Sequence, residues 1–208
     1  MKTNFTKLAQ RAALMIIPLT ILSFMISCKS ETTKKAQETI EEVKEIKSNI
    51  DNNGSIQDRA MALSQKTPLS KQQLESWVPN ELNGMTRSDL KVTDPESDGE
   101  ARLKATFANE NKKVFLDLAD GAGSMAGLVL MSANTMRLEE ERDDEYQQLQ
   151  FLNKEGVNAL QTYFKRENRT TLKFLEQGRF MVQIEAEGYS PEEAWKLVDE
   201  LKLDKLTN

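Results

Sequence analysis

Three segments of the chain alternate between apolar and polar side chains, at residues 103–107, 114–118 and 179–187. Alternation places every second side chain on the same face of a β-strand, so each segment predicts a half-buried strand. Turn residues at 109–112 join the first two strands into a hairpin. One apolar and one polar face suit an antiparallel sheet with water on one side. The apolar positions of the last strand are Phe180, Val182, Ile184 and Ala186.

A similar arrangement of turn and apolar residues occurs a second time along the chain. This recurrence predicts a duplicated hairpin unit, with pseudo-repeats at about 85–138 and 143–203. A chance similarity is the alternative, because Glu, Asn and Lys are ordinary turn residues. Strands followed by helices predict an α+β fold, an antiparallel sheet with its helices on one face. The aligned pairs include Gly99 with Gly156, Leu103 with Leu160, Phe107 with Phe164 and Leu118 with Leu175.

Capping signals predict where two helices begin and end. Ser70 and Gln73 form a capping box, and Pro79 stops the helix that they open. Ser190 supplies the N-cap of a second helix, and Pro191 takes its first position. We expect the apolar stripe of this last helix to pack on the sheet. Its members are Ala194, Leu197, Val198 and Leu201.

A third helix is predicted between the two hairpin units, within residues 121–138. Its apolar residues have spacings of 3, 1 and 7, which indicate one face of an amphipathic helix. Methionine adapts to irregular spaces, so this face also indicates an apolar pocket against the sheet. Plain core packing is the alternative interpretation. The expected pocket residues are Met125, Leu128, Val129 and Met136.

The first 27 residues have the form of an export signal. A basic start precedes an uncharged and mostly apolar stretch from residue 14 to residue 26. This stretch is shorter than the roughly 20 apolar residues that span a bilayer. It ends in Met25-Ile26-Ser27-Cys28, which contains the only cysteine of the chain. An uncleaved anchor helix and an ordinary cleaved signal are the alternative interpretations.

This run resembles the lipobox of bacterial lipoproteins, with Met25 where leucine is usual. The resemblance implies cleavage before Cys28 and attachment of a diacylglycerol to its thiol. At least two acyl chains give stable anchoring, so the lipid implies permanent attachment to a membrane. Lys29 and the residues after it loosely resemble the export signal of Bacteroidetes lipoproteins. The implied location is the cell envelope, at the outer membrane rather than the inner one.

A charged spacer helix is predicted for residues 28–55, between the anchor and a domain at residues 56–208. Its sparse apolar residues have spacings of three, three and four, which place them on one narrow helical stripe. A short coiled coil with a partner is the alternative interpretation of this stripe. The stripe consists of Ile40, Val43, Ile46 and Ile50.

Composition excludes several classes of function. The chain has no histidine, which removes Ser-His-Asp and Cys-His catalytic groups. A single cysteine also excludes intramolecular disulfides. Lys2, Lys7 and Arg11 are the only charged residues of the leader, so its removal changes the net charge from −5 to −8. This acidity argues against binding nucleic acid through a bulk positive field.

Three polar segments have partial resemblances to ligand sites. The glycine-rich residues 120–127 lack the lysine of a phosphate-binding loop and predict a flexible turn between strand and helix. Residues 94–99 match part of a calcium loop, but Ala105 stands where a bidentate Glu is needed. The acidic run at 139–145 predicts a solvated loop after a helix that ends near Leu138. We therefore expect no metal, cofactor or catalytic residue.

These patterns together predict a non-catalytic envelope module that binds a protein partner or supports the cell surface. A carrier of an apolar or lipid-like ligand, held between the sheet and helix 121–138, is the first alternative. An enzyme built on carboxylates is the second alternative. The 33 acidic residues offer too many pairs for a particular catalytic pair to be chosen.

Overall fold

The computed structural model describes residues 55–207. Cys28, the export signal and the predicted spacer lie outside the described residues. The helices are α1 (Ile56–Ser64), α2 (Lys71–Trp77), α3 (Pro95–Asp98), α4 (Ala126–Thr135) and α5 (Pro191–Leu201), with 3₁₀ turns at Gly123–Met125, Met136–Leu138 and Leu203–Thr207. The strands are β1 (Glu81–Leu82), β2 (Met85–Val92), β3 (Arg102–Ala108), β4 (Lys113–Asp120), β5 (Arg142–Asp143), β6 (Gln147–Lys154), β7 (Val157–Phe164), β8 (Arg169–Glu176) and β9 (Phe180–Glu187).

All nine strands form one antiparallel sheet, in the order β1-β2-β3-β4-β9-β8-β7-β6-β5. The α+β class and the antiparallel sheet are therefore confirmed. Strands β1 to β4 and strands β5 to β8 are two consecutive meanders. The last strand, β9, enters between them and pairs with β4 and β8. Because β9 is central, its four predicted inward residues are all fully buried.

The larger core lies on the sheet face that α2 and α5 cover, here called the α2/α5 face. Leu116 of β4 and Ile184 of β9 are cross-strand partners on this face. They belong to one continuous buried cluster with Leu74 of α2 and Leu197 of α5. Both helices begin at the predicted N-caps, Ser70 and Ser190, and each N-cap forms a capping box. The caps satisfy N–H groups that would otherwise lack partners, so they set where each helix begins.

The prediction that the helices lie on one face is wrong. Ala119 and Met181 point to the opposite face from their neighbours Leu118 and Val182, and there they pack against Val129 of α4. Helix α1 packs in turn on α4, so these two helices define the α1/α4 face. On this second face, the buried apolar residues of the central strands β4 and β9 are Ala119 and Met181, at one end of these strands. Alternation along a whole strand therefore does not reveal them.

The chain turns from β4 into α4 at Gly121, the first glycine of the predicted turn. A Cβ at Gly121 would lie 2.6 Å from the carbonyl oxygen of Arg179 and 2.9 Å from a methyl carbon of Val129. No other residue fits without a shift of backbone or helix. The predicted turn between a strand and a helix is therefore confirmed. Packing around Gly121 leaves no space for a side chain there. Helix α4 ends at Thr135, and a 3₁₀ turn continues to Leu138, as predicted.

The two predicted hairpins both form, as β3–β4 and β7–β8. Their aligned residues do not take equivalent places. Leu103 and Leu118 are cross-strand partners in the α2/α5 core, whereas Leu160 pairs with Lys173 and packs on the α1/α4 face. The duplication therefore stays a prediction from sequence, without a matching register in the sheet.

Two tight turns set the register of the outer hairpins. Asn83 and Gly84 connect β1 to β2, and Glu155 and Gly156 connect β6 to β7, all four with positive φ angles. Positive φ at both central residues is the signature of a type I′ turn, which matches the twist of antiparallel strands. Open space surrounds both glycines, so it is the φ angle that favours glycine there.

Candidate functional site

The four residues expected to line a pocket under helix α4 do not enclose one. Val129 and Met136 are 3% and 4% exposed and pack tightly against the sheet. Met125 is partly buried beside them, and Leu128 is 57% exposed on the outer side of the helix. Periodicity identifies residues that share a helical face, but a face that is complementary to the sheet leaves no cavity. Met136 alone borders an open space, which lies beside the helix.

That space is a cleft of about 290 Å³ between α1, α4 and the adjoining end of the sheet. Its volume is close to the lower end of the roughly 300 to 1,000 Å³ found for small-molecule sites. Apolar side chains from both helices and from β6 and β8 form the smaller part of its exposed lining, which is mostly polar. They are Ile56, Leu130, Ala133, Met136, Phe151 and Leu175.

The polar lining of the cleft is rich in hydrogen-bond donors and carries no acidic side chain. It is contributed by Arg59 of α1, Asn134 of α4, Arg137 and Asn158 of β7. The chain has 33 acidic residues, so a lining with two arginines and no carboxylate runs against its average composition. We call this space the arginine cleft. It differs from the predicted apolar pocket in position and in charge.

Arg59 is half-buried and crosses the tight turn between β8 and β9. Its Nη2 atom would lie 3.6 Å from a Cβ placed on Gly178, whose φ is +64°. Both residues line the cleft. Arg59 comes from the first turns of α1, whose N-terminus is capped by Ser55 and Asp58. The position of this guanidinium therefore depends on where α1 begins. It also depends on Gly178, which has no side chain beside the guanidinium.

Arg137 follows α4 and holds its guanidinium 5.8 Å from the ring centre of Phe151. This distance is within the range of a cation–π contact, which keeps the charge over the apolar wall. Asn158 is oriented by hydrogen bonds on its other side. Gly156 donates its backbone N–H to Oδ1 of Asn153 (3.1 Å), and Asn153 donates Nδ2 to Oδ1 of Asn158 (2.9 Å). The carbonyl oxygen of Asn158 is thereby occupied and its NH₂ group is left as a donor.

Neither arginine of the cleft has a carboxylate partner among residues 55–207. Most other arginines in this range do, or they donate to backbone carbonyls as Arg87 does. Arg142, on the exposed edge strand β5, is a further arginine without an ion pair in the described part. The paired arginines are Arg102 with Asp117, Arg166 with Glu145, Arg169 with Glu185, and Arg179 with Asp120.

A second cleft, of about 370 Å³, lies on the α2/α5 face beside Trp195 and Phe174. Its charged side chains include both lysines and carboxylates. Several of its polar groups already contact other side chains of the domain. Trp195 donates its indole N–H to Oε1 of Gln161 at 3.0 Å, and the Lys154 ammonium lies 5.0 Å from the Trp195 ring centre. Burial raises the pKa of Glu176 in this cleft, and the nearby carboxylate of Asp204 adds to the effect. These contacts within the chain leave few unpaired groups for a ligand.

The remaining polar candidates serve local structure. Asp94 and Asp98 accept backbone N–H groups around the single turn α3, at 3.0 and 2.8 Å. In the acidic run, Asp143 forms an ion pair with Lys165 (2.5 Å), and this hydrogen bond lowers the pKa of Asp143. Among the described residues, no group of three or more acidic, histidine or cysteine side chains could hold a metal ion.

A buried ion pair joins the strand ends near α2. Arg179 donates Nε to Oδ1 of Asp120 (2.6 Å) and Nη2 to Oδ2 (2.7 Å). Asp120 is fully buried and also accepts the backbone N–H groups of Leu69 and Ala122. Every oxygen of this carboxylate is occupied, so the pair holds the loop before α2 against the sheet. Its role is structural.

Sequence reasoning did not identify the arginine cleft, because Arg59 and Arg137 lie in different elements and belong to no motif. No helix within residues 55–207 is long and apolar enough to cross a bilayer. No protein-family model matches the chain, and neither the curated proteins nor the solved structures contain a match to it.

Proposed function

We propose that this chain is a lipid-anchored protein of the bacterial cell envelope whose domain is a non-catalytic binding module. Cys28 carries the lipid in this proposal, and a charged spacer joins it to the domain that begins near Ile56. The arginine cleft is the binding site. The observation that carries the proposal is a concave, partly apolar site whose two arginines lack carboxylate partners among the described residues.

Physical chemistry supports a binding role for such a cleft. Arg59 is half-buried and Arg137 is exposed, and neither forms an ion pair with a described residue. Both guanidinium groups are therefore accessible to a ligand that enters the cleft. The proposal also agrees with the absence of histidine, which removes the commonest general base.

The alternative of an apolar carrier uses the same region of the molecule differently. It requires a cavity beneath α4 that encloses a lipid chain. Val129 and Met136 fill that position, and the neighbouring cleft is small and partly charged. These observations favour a module that recognises a compact group over a carrier that encloses a whole lipid.

Anchoring is tested by changing the proposed lipidation site. We expect Cys28→Ser to release the chain from membranes, because no thiol remains for the diacylglycerol. The matched control is Ser27→Ala, which keeps a small residue before the cysteine and should remain membrane-bound. Fractionation after a carbonate wash measures both. Sedimentation of Cys28→Ser with the membranes would contradict the anchor.

Binding is tested by native mass spectrometry of the full chain, purified from its own host in a mild non-ionic detergent. We expect a non-covalently bound mass, in addition to the lipid on Cys28, that is lost in Ala133→Phe because the larger ring fills the cleft. Leu128→Phe is the control, since residue 128 lies on the outer side of the same helix. A non-covalently bound mass that persists in Ala133→Phe would place the ligand elsewhere and exclude this cleft.

A further inference from the structure

The arginine cleft has the chemistry of a site for an oxyanion on an apolar stem. We propose that it binds a phosphate or carboxylate group carried by a short apolar chain. This inference rests on the proposed binding function and adds the class of ligand. The named contacts are the guanidinium groups of Arg59 and Arg137 and the NH₂ group of Asn158.

The charge of the lining selects an anion. Arginine presents a planar fork of N–H donors that matches carboxylate and phosphate oxygens. A neutral or cationic group would leave both guanidinium groups without a counter-charge at the edge of an apolar wall. No acidic side chain lines the cleft, so an entering anion meets no like charge among the lining residues.

The apolar wall selects what the anion is attached to. Phe151, Leu175 and Ile56 border the same space as the arginines. A bare inorganic ion would leave this wall in water, whereas an alkyl stem would cover it and gain roughly 25 cal/mol for each Å² of apolar surface removed from water. Because the cleft is about 290 Å³, it accommodates a head group and a short stem.

The donors are held in place before a ligand arrives. The hydrogen bonds from Gly156 to Asn153 and from Asn153 to Asn158 keep the Asn158 amide in one orientation. Phe151 supports the guanidinium of Arg137, and the turn at Gly178 lets Arg59 approach the backbone. Pre-ordered donors lower the entropic cost of binding.

The test is calorimetric titration of the full chain in a non-ionic detergent with four probes. They are hexyl phosphate, hexanoate, inorganic phosphate and hexanol. We expect hexyl phosphate or hexanoate to bind about fivefold more tightly than inorganic phosphate, because the exposed apolar lining is small. We expect the same probe to bind at least tenfold more tightly than hexanol, which has no charge for the arginines. The better of the two identifies the head group as phosphate or carboxylate.

Arg59→Gln and Arg137→Gln should each weaken binding of that probe about tenfold, the effect of losing one charge-assisted hydrogen bond. Arg142→Gln is the matched control, since it removes the same charge from an exposed arginine outside the cleft. It should leave the affinity within about twofold. Circular dichroism should show unchanged thermal unfolding in all three variants, because none of these arginines pairs with a carboxylate of the described residues.

Several results would overturn the inference. Hexanol binding as tightly as the anions would make the cleft an apolar site, which retains the binding module but removes the anion. Inorganic phosphate binding as tightly as hexyl phosphate would remove the apolar stem. An equal loss in Arg142→Gln would reduce the effect to overall charge. If no probe binds and the protein from its host carries no non-covalently bound mass, the proposed binding function fails as well.

Discussion

The two faces of the sheet are built for different purposes. The α2/α5 face holds one continuous core that extends from β2 across β9 to β8 and is closed by two capped helices. The α1/α4 face has two small clusters at one end of the strands, and an open cleft beside them. The difference teaches that stability resides mainly on the first face. The second face is free to present unpaired charges, because little of the core depends on it.

The largest expected difference between the faces comes from removing a phenylalanine on each. Phe107 is fully buried on the α2/α5 face, and Phe115 lies half-buried on the opposite face of the neighbouring strand. We expect Phe107→Ala to lower the free energy of unfolding by about 3 to 5 kcal/mol. Phe115→Ala should cost about 1 to 2 kcal/mol, because less apolar surface returns to water. Urea denaturation measures both, and equal losses would contradict the comparison.

A second contrast uses two Arg–Asp pairs of similar geometry. The side chain of Arg179 is 12% exposed and that of its partner Asp120 is 0% exposed. On the opposite face, the side chain of Arg102 is 36% exposed and that of its partner Asp117 is 28% exposed. Asp120→Asn should destabilise the fold by about 3 kcal/mol, since it leaves a largely buried guanidinium without its counter-charge. Asp117→Asn should cost less than about 1 kcal/mol, because water screens that pair. Thermal unfolding measures this difference. Equal melting temperatures for Asp120→Asn and Asp117→Asn would refute it.

The smallest effect is a pH dependence on the α2/α5 face, at Glu176. Burial raises the pKa of this carboxyl above its ordinary 4.5, so the folded state binds its proton more tightly than the unfolded state. Stability contributed by this group therefore falls as pH rises from the unfolded-state pKa through the folded-state pKa. We expect Glu176→Gln to melt at a higher temperature than the natural chain at pH 7, with the gap closing toward pH 4. A gap of constant size at both pH values would exclude a titration of Glu176.

Local patterns were sufficient for much of the fold. Alternation identified β3, β4 and β9 together with their buried positions, and capping boxes located the starts of α2 and α5. Strands β2 and β6 were not predicted, because their exposed and half-buried residues follow no strict alternation. Asn83-Gly84 is a strong hairpin signal, so the sequence alone also indicates the turn between β1 and β2.

The candidate site was less accessible to prediction. The stripe Met125, Leu128, Val129 and Met136 correctly marked an apolar helix, but it could not distinguish a filled interface from a pocket. Packing density, which depends on side chains from β4 and β9, decided that the interface is filled. No sequence pattern links Arg59 with Arg137. They line the same cleft only because α1 packs on α4.

The sequence by itself determined strands β3, β4 and β9 with their inward sides and the starts of α2 and α5, and it predicts a lipid anchor at Cys28. These features depend on periodicity and on hydrogen bonds between residues close in the chain. Only the tertiary structure decided that β9 enters between two meanders, that helices cover both faces, and that two arginines share a cleft. Such outcomes depend on long-range packing, because a periodic pattern shows which side of an element is apolar and not which neighbour will cover it.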